Sequence, residues 1–421
     1  MSIVEGTSAK ADAAAGSSSA ELAKLLSAAA VRERCSLVYH WVDAGHSQHF
    51  TLDERRLADV AAYVADVTRA AYPDLNIPPH SRWRHFSAGG IERWASILQK
   101  LHSATVNERA RAAIDLATVS VFLDAGAGDQ WRYREQATGL VFARSEGLAI
   151  ASLDMFTDGL FSSQPERPLQ VDATALKAID TEKLAQGLQV NTDNPLIGLD
   201  RRAALLRRLG HALEVRPDLF GSSRRPGCLA DCLALQNRDG RIPASLVLST
   251  LLESLSSIWP SGLVVNGVGV GDAGYHPAVR INDATDRIVP FHKLSQWLTY
   301  SLIEPLAMAD LTVVNLDELT ALAEYRNGGL FVDLGVICPR RPIDAPQEVS
   351  SELVNEWRAL TVILMDELLG LVRQRLGLNS AFALPHLLQG GTWSAGRKIA
   401  LERRPPSGPS PIPLATDGTV F

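Results

Sequence analysis

Hydrophobic residues recur every three or four positions along most of the chain, the spacing of one buried face on an α-helix. The clearest case lies within residues 350–376, where Leu353, Trp357, Leu360, Leu364 and Leu368 form a single apolar stripe. Such a stripe is typical of a helix packed on a protein core. Similar patterns predict helices at residues 51–72, where Thr51 and Glu54 fit a capping box, and at residues 107–123, 145–161 and 243–259.

Strand-like segments are few and short, and they occur at residues 263–270, 287–291 and 330–336. They do not alternate with helices, which argues against a doubly wound parallel sheet. We therefore predict a mainly α protein with short β and loop insertions. Residues 1–20, rich in alanine, serine and glycine, are predicted to be a disordered tail. Residues 21–421 are predicted to form a single, lobed catalytic domain.

Composition narrows the classes of function. The chain has 421 residues, a hydrophobic content of 46% and a formal net charge of −6. An acidic protein without clustered lysine and arginine is poorly suited to a nucleic-acid backbone, so a small molecule is the expected partner. The amino end lacks the pattern of a signal peptide, and no apolar stretch approaches the roughly 20 residues of a membrane helix. We expect a cytoplasmic protein with no membrane association; the oligomeric state stays open.

Cysteine and glycine patterns give no sign of a metal or a cofactor. Of the four cysteines only Cys228 and Cys232 are close in sequence, and no histidine or second cysteine pair accompanies them. Packed thiols are therefore favoured over a zinc site. Gly269, Gly271 and Gly274 fit a dinucleotide-binding spacing, but a proline follows where that motif requires a helix. We predict neither a metal nor a cofactor.

Segment 123–133, LDAGAGDQWRY, combines glycines with Asp129, Trp131 and Tyr133. Glycine lets backbone approach a ligand, and the two aromatic rings could wall a planar group. A capped helix end with a solvated turn is the alternative. Arg144 and Glu146 begin the next predicted helix, where Glu146 would also suit a helix amino terminus.

Segment 290–306 places His292, Lys293, Gln296 and Tyr300 on polar faces beside a buried leucine stripe. These side chains could line a pocket for a ureido group or a base, or they could form a solvated helix face. Segment 80–86, HSRWRHF, offers Arg82 and Arg84 between aromatic residues. That composition suits an anion such as a sugar phosphate, with a surface loop as the alternative.

The densest polar cluster is residues 319–336, where Glu324, Arg326 and Asp333 flank an Asn327-Gly328-Gly329 sequence. We interpret residues 323–329 as the tight turn of a helix-hairpin-helix, because glycine lets two helices approach closely. A carboxylate beside such a turn could be buried and functional. An ion pair with Arg326 is the structural alternative.

At these segments the chain resembles the uracil catabolism protein 4 family, and the resemblance covers nearly all of it except the first 20 or so residues. It implies a role in a route that opens the uracil ring and ends with the release of urea. The motifs that carry it are VRERC at 31–35, HSRWRHF, LDAGAGDQWRY, RSEGLAIASLDMF at 144–156, RRPGCLADCL at 224–233, PFHKLSQWLTYSLIEPL, EYRNGGL, EWRALTV at 356–362, GGTWSAGR and DGTVF.

The order of helices is also similar to that of queuosine-nucleotide N-ribohydrolases, which have a DNA-glycosylase-like helix-hairpin-helix fold. This resemblance implies that fold class and an N-glycosidic cleavage. The chain departs from it at LDAGAGDQWRY, where that family has an Asn-Phe-x-Phe-Trp type of run, so nucleobase recognition is not carried over. The parallel segments are GLVFARSEGLAIASLDMF, NPLIGLDRRAALLRRLG, EYRNGGLFVDLG and EWRALTVILMDEL.

The two resemblances together imply an N-ribohydrolase that releases urea from ribosylurea or its 5′-phosphate. In such a cleavage the sugar gains oxocarbenium character, which a nearby carboxylate stabilises. Glu324 is the expected first carboxylate, with Asp333 or Asp129 as the second. A ureido amidohydrolase, or a binding protein for the ring-opened intermediate, remains an alternative. The expected substrate-binding residues are Arg82, Arg84, Trp131, Tyr133, Arg144, Glu146, His292, Lys293, Gln296, Tyr300 and Arg326.

Overall fold

The computed structural model describes residues 19–124, 126–259 and 262–415, and α-helices form most of these ranges. The prediction of a mainly α protein is confirmed. The helices are α1 (Ala28–Asp43), α2 (Leu57–Ala71), α3 (Arg82–Phe86), α4 (Arg93–Lys100), α5 (Val106–Phe122), α6 (Arg144–Thr157), α7 (Ala173–Lys177), α8 (Thr181–Gly187), α9 (Leu199–Val215), α10 (Pro217–Phe220), α11 (Leu229–Gln236), α12 (Ala244–Leu255), α13 (Lys293–Ala307), α14 (Tyr325–Asp333), α15 (Glu352–Leu376), α16 (Leu384–Leu387) and α17 (Trp393–Arg403).

The strands are short and, in the described ranges, pair only in twos. Pairs β1–β10, β2–β3, β5–β6 and β7–β8 are antiparallel, whereas β4–β9 and β11–β12 are parallel. They fasten loops to the helical body. Their bounds are β1 (Phe50–Leu52), β2 (Tyr133–Arg134), β3 (Val141–Phe142), β4 (Arg241–Pro243), β5 (Val264–Val265), β6 (Val268–Gly269), β7 (Ala273–Tyr275), β8 (Ile288–Pro290), β9 (Thr312–Val314), β10 (Ile337–Pro339), β11 (Gln347–Glu348) and β12 (Leu414–Ala415).

The long helix α15 is the centre of the packing, as its apolar stripe predicts. Ser351 caps its amino end by accepting from the Val354 backbone N–H, and Gly377, with φ of 71°, ends it in the left-handed conformation. Serine is favoured at a helix start because its hydroxyl can accept from a free backbone N–H. Glycine is favoured at a helix end because it has no Cβ to hinder the left-handed conformation. Trp357, Leu360, Leu364 and Leu368 of the stripe are fully buried, and the helix packs against α1 and α2.

Several predicted elements are present, but the helix expected from residue 51 begins later than predicted. The helices expected at 107–123 and 145–161 are α5 and α6, and the strand expected at 287–291 is β8. The helix expected from residue 51 begins only at Leu57. Thr51 lies instead in β1, opposite Cys338 of β10, so the Thr51/Glu54 capping box is wrong. A long-range strand pairing overrides the local capping pattern there.

The segment around Asn327 also differs from the prediction. Residues 325–333 form α14, so the hairpin turn expected at 323–329 and the strand expected at 330–336 are both wrong. Gly328 is glycine because α14 lies flush against α15. A Cβ on Gly328 would stand 2.6 Å from Trp357 Nε1 and 2.7 Å from Thr361 Oγ1. The glycine thus serves close helix packing instead of chain reversal.

Of the predicted tail, residues 1–20, all but the last two lie outside the described ranges, which begin at residue 19. The main hydrophobic cluster includes residues from Ala28 to Ile412. Within the described chain, every helix is too short or too polar to span a lipid bilayer. One polar region in the interior is surrounded by five helices, α3, α6, α13, α14 and α17.

Candidate active site

A buried ion pair lies at the base of this polar region. Arg82, at the first position of α3, places its Nη1 2.8 Å from Asp124 Oδ2, and its guanidinium is fully buried. Ser145, in the first turn of α6, donates its hydroxyl to Asp124 Oδ1 at 2.7 Å. Burial alone would raise the pKa of the Asp124 carboxyl, but Arg82 and Ser145 hold it below its usual range. Asp124 is therefore a fixed negative charge.

Two buried histidines lie beside this pair. His85 Nδ1 is 3.0 Å from Arg82 Nη1, and burial followed by the Arg82 charge lowers the pKa of His85 to about 3. The His80 ring packs on Trp297 of α13 and Trp393 of α17, with ring centroids 4.5 and 5.3 Å away. Burial lowers the pKa of His80 to about 4. Both imidazoles are neutral at physiological pH.

Glu324 is the N-cap of α14. Its two carboxylate oxygens accept from the backbone N–H groups of Arg326 and Asn327, at 2.7 and 2.6 Å. The side chain is buried, with the residue 3% exposed. Burial raises the pKa of the Glu324 carboxyl, while the two N–H groups and Lys293 act in the opposite direction. The helix cap, not an ion pair with Arg326, is the structural role that the chain gives this carboxylate.

Lys293 interacts electrostatically with both carboxylates, Glu324 and Asp124. It is the first residue of α13, and burial lowers the pKa of its ammonium group while Glu324 and then Asp124 oppose that shift. Arg326, the second residue of α14, extends its guanidinium over the Trp393 ring at 4.4 Å. Helix starts at α3, α13 and α14 thus bring cations and carboxylates to one place.

Several buried polar atoms in this region have no hydrogen-bond partner within the described ranges. His80 Nε2, Arg82 Nη2, Trp297 Nε1, Arg326 Nη1 and Asn327 Oδ1 are among them. A buried polar group without a partner costs free energy, so such atoms usually mark a position for a ligand or water. His80, Trp297 and Arg326 are linked to one another directly or through Trp393, and the Arg326 backbone N–H donates to Glu324 at the start of α14. This region is therefore the candidate active site.

An open cleft of about 540 Å³ adjoins the buried region. Its charged walls are Asp129, Arg132, Arg144, Glu146 and Arg397. Glu146 connects the cleft with the interior: it stands 3.6 Å from Arg397 and lies within electrostatic range of both Arg82 and Arg326. Glu324 lines neither this cleft nor a second one, of about 750 Å³, bordered by residues 45–49 and 340–345.

Asp129 and Asp333, the two carboxylates proposed as partners of Glu324, lie apart from it. Both oxygens of Asp333 bond to Arg404, at 2.7 and 2.6 Å, and the residue is at the far end of α14. A helix of nine residues separates the two carboxylates by on the order of 13 Å of axial rise. Asp129 lies in the outer cleft, where its side chain is 84% exposed and 3.4 Å from Arg144.

Most of the aromatic and amide side chains expected to bind substrate serve the fold instead. Trp131 is fully buried and donates to the Leu188 carbonyl at 2.9 Å, and the Tyr133 hydroxyl donates to Asp154 at 2.7 Å. Gln296 pairs with Thr320 through both its amide atoms, and Tyr300 donates to the Thr320 carbonyl at 2.6 Å. These last two fix the extended segment that leads into Glu324.

The expected cations divide between the site and its surroundings. Arg82, Lys293 and Arg326 belong to the buried region, and Arg144 faces the cleft. Arg84 instead pairs with Glu304, and His292 Nε2 lies 2.8 Å from the Leu25 carbonyl oxygen. Within the described chain no three His, Cys, Asp or Glu side chains are grouped to hold a metal.

Asp124, His85, Trp297 and Trp393 also belong to this region, although they were not among the expected catalytic or substrate-binding residues. Asp124 and His85 lie in the segments LDAGAGDQWRY and HSRWRHF, which the sequence marks as polar. Trp297 faces the same side of α13 as Lys293, at a spacing of four, which is the one signal that pointed to it. No local sequence pattern points to Trp393, because its position depends on contacts with Arg326 and His80, which lie 67 and 313 positions earlier.

The fold and this arrangement can now be compared with known proteins. Residues 24–421 match the model of a family described as DUF1688, protein of unknown function. The chain belongs to this family. The match spans every element of the candidate site.

Two relatives extend the comparison. The chain is similar to protein urg3 of Schizosaccharomyces pombe, with 40% identity over 409 residues that cover 95% of this chain and 99% of the relative. It is also similar to uracil catabolism protein 4 of Lachancea kluyveri, with 36% identity over 430 residues, covering 94% and 98% of the two chains. The resemblance to the uracil catabolism protein 4 family is confirmed.

Proposed function

We propose that this protein is a cytoplasmic N-ribohydrolase of uracil catabolism that cleaves ribosylurea, or its 5′-phosphate, into urea and the free sugar. The pathway rests on the name of the Lachancea kluyveri relative. The reaction rests on the buried region, above all on Glu324. It is a buried carboxylate in a region that also holds buried donors and acceptors without partners in the described ranges, which suits a small polar ligand.

Glu324 is suited to the sugar side of the reaction. Each oxygen bonds one backbone N–H and keeps a second lone pair, so the carboxylate can cap α14 and still accept from a ligand. As the C1′–N bond breaks, the negative charge stabilises the oxocarbenium-like sugar. The same carboxylate accepts a proton from the attacking water, which its raised pKa favours.

The leaving group needs hydrogen-bond donors. Negative charge moves onto the urea oxygen as the C1′–N bond breaks, and Trp297 Nε1 and Arg326 Nη1 are buried donors without partners in the described chain. The proton taken from water passes to the urea nitrogen, which balances the hydrolysis. Asp124, with Arg82, replaces Asp333 and Asp129 in this scheme as the second carboxylate. It fixes the charge balance around Lys293 without taking up a proton.

The proposal includes the distant relationship to helix-hairpin-helix N-ribohydrolases. The helical architecture and a carboxylate preceding a Tyr-Arg pair support it. The glycine turn itself does not, because those residues are helical.

Product analysis tests the function. Purified protein is incubated with ribosylurea and, separately, with its 5′-phosphate, and urea, ammonia and reducing sugar are measured. Urea and sugar in equal amounts are the expected result. Ammonia with carbon dioxide would instead identify a ureido amidohydrolase, and binding without turnover would identify a carrier of the ring-opened intermediate. Either outcome overturns the proposal.

A further inference from the structure

His80 is a buried polar group of the candidate site that the proposed reaction does not use. The residue is 2% exposed, and its ring lies against the indoles of Trp297 and Trp393. Its Nε2 atom is buried and has no hydrogen-bond partner in the described ranges. A core histidine that served packing alone would normally satisfy both ring nitrogens.

The hydrogen-bond arrangement around His80 indicates which ring nitrogen carries the proton. His80 Nδ1 lies 2.9 Å from Gln389 Oε1, and Gln389 Nε2 donates to the Tyr72 hydroxyl at 2.9 Å. Because the amide oxygen can only accept, Nδ1 carries the hydrogen and Nε2 is left with a lone pair. Gln389 lies in a π-helical turn, Leu388–Thr392, between α16 and α17. Such turns are rare and occur frequently at functional sites.

The unpartnered atoms around this lone pair define a ligand. His80 Nε2 requires a donor, whereas Trp297 Nε1 and Arg326 Nη1 require an acceptor. The indole of Trp393 offers a flat surface, already in contact with the Arg326 guanidinium. A small planar group with an N–H and a carbonyl oxygen has the donor and the acceptor that these atoms lack, and a terminal ureido group is such a group.

We propose that His80 selects the substrate: its Nε2 lone pair accepts a hydrogen bond from the terminal NH₂ of a ureido group, whose carbonyl oxygen faces Trp297 and Arg326. The inference rests on the proposed function and narrows its substrate class to ureides with an unsubstituted terminal nitrogen. A site built around a hydrogen bond rejects analogues that cannot form it far more strongly than an apolar pocket rejects an extra methyl group.

The first test is the kcat/KM ratio between ribosylurea and its terminal N,N-dimethyl analogue. The wild-type protein is expected to favour ribosylurea by roughly 100-fold or more. His80→Phe keeps an aromatic ring between the two indoles but has no acceptor. It is expected to lower kcat/KM for ribosylurea by roughly 100-fold and to reduce the ratio between the substrates to about 10 or less. His386→Asn, in α16 outside the site, is the matched control and should leave the ratio unchanged.

Full discrimination retained by a folded His80→Phe overturns the inference while leaving the proposed function intact. Failure of the wild-type protein to release urea at all would count against the proposed function instead. A second measurement needs no activity and no variant that might misfold. In the wild-type protein with ¹⁵N-labelled histidine, NMR is expected to show His80 with a bare Nε2 that shifts when urea is added. A protonated Nε2, or no response to urea, also overturns the inference.

Discussion

Glu324 performs a structural task and, in the proposed reaction, a chemical one through the same atoms. Its oxygens accept from the backbone N–H groups of Arg326 and Asn327, the second and third residues of α14, and the helix dipole there favours the ionised carboxylate. A substitution at this position therefore changes stability and rate together. The two effects are separable because a capping bond contributes only about 1 kcal/mol, much less than a catalytic charge.

We predict that Glu324→Gln lowers the rate of urea release per folded molecule by roughly 100-fold or more. The amide keeps one acceptor for the helix cap but loses the negative charge, so the melting temperature should fall only modestly. Turnover and thermal melting are measured on one sample.

Asp172→Asn is the matched control for this substitution. Asp172 is also a buried N-cap carboxylate, which accepts from the Ala175 N–H at 3.0 Å, but it caps α7, outside the site. The Asp172→Asn variant should lose about as much stability as Glu324→Gln but keep the wild-type rate of urea release. Near wild-type turnover in stable Glu324→Gln protein would remove Glu324 from the mechanism.

His80 should leave a signature in the pH dependence of stability. Its pKa falls from 6.5 to about 4 on folding, so between these values the unfolded chain binds a proton that the folded chain does not. Stability contributed by the neutral imidazole is complete above pH 6.5 and is lost as the pH falls toward 4, up to about 3 kcal/mol. We predict that His80→Phe flattens this loss. Urea unfolding at about pH 7.5 and about pH 5 measures it, and an unchanged slope would contradict it.

At the scale of elements, the close contact of α14 with α15 explains why one prediction from sequence failed. Asn327-Gly328-Gly329 is a frequent turn sequence. Here the segment is helical, and Gly328 has no room for a Cβ because the Trp357 side chain, 29 positions later, lies against it. The amphipathic helices α5, α6 and α15 were predictable because their signal is local and periodic. Long-range contacts, such as β1 with β10 or His80 with Trp393, leave no local periodic signal in the sequence.

We predict that Gly328→Ala destabilises the protein by about 1–3 kcal/mol, because the new methyl group would overlap Trp357 and Thr361. Gly370→Ala in α15 is the control, since nothing lies within 4 Å of its added Cβ. That change should stabilise the helix by about 0.5–1 kcal/mol. Urea denaturation of both variants checks the pair, and equal stabilities would show that the two helices are not packed this closely.

The π-helical turn is the element that controls the state of His80. Gln389→Glu places a carboxylate beside Nδ1–H, which stabilises the protonated imidazole and raises the pKa of His80 above about 4. A protonated ring donates at Nε2 and can no longer accept a ureido N–H. We predict that kcat/KM of the variant falls steeply on lowering the pH from about 8 to about 6, whereas that of the wild type changes little. Parallel pH profiles would contradict this.

At the scale of the whole molecule, an open, positively charged cleft adjoins a buried, charge-balanced interior. Arg132, Arg144 and Arg397 outnumber Asp129 and Glu146 in the cleft, so it suits the anionic end of a substrate whose reacting end lies deeper. In the buried region, the negative charges of Asp124 and Glu324 offset the positive charges of Arg82 and Lys293. The position of the cleft therefore bears on whether the substrate is phosphorylated.

If the 5′-phosphate binds in the cleft, Arg397→Ala should raise KM for the phosphorylated substrate by roughly 10-fold and leave KM for ribosylurea unchanged. Arg403→Ala, an exposed residue of the same helix, is the control. An equal rise for both substrates would show that the cleft binds the sugar instead, and no change would place the phosphate elsewhere.

The two walls around His80 come from distant parts of the chain. His80 and Trp297 are synthesised well before the π-helical turn and α17, which supply Gln389, Trp393 and Arg397. During translation the earlier helices can pack while the site lacks one of its sides. A growing chain on the ribosome is therefore expected to lack the proposed activity until the carboxyl-terminal helices have emerged and docked.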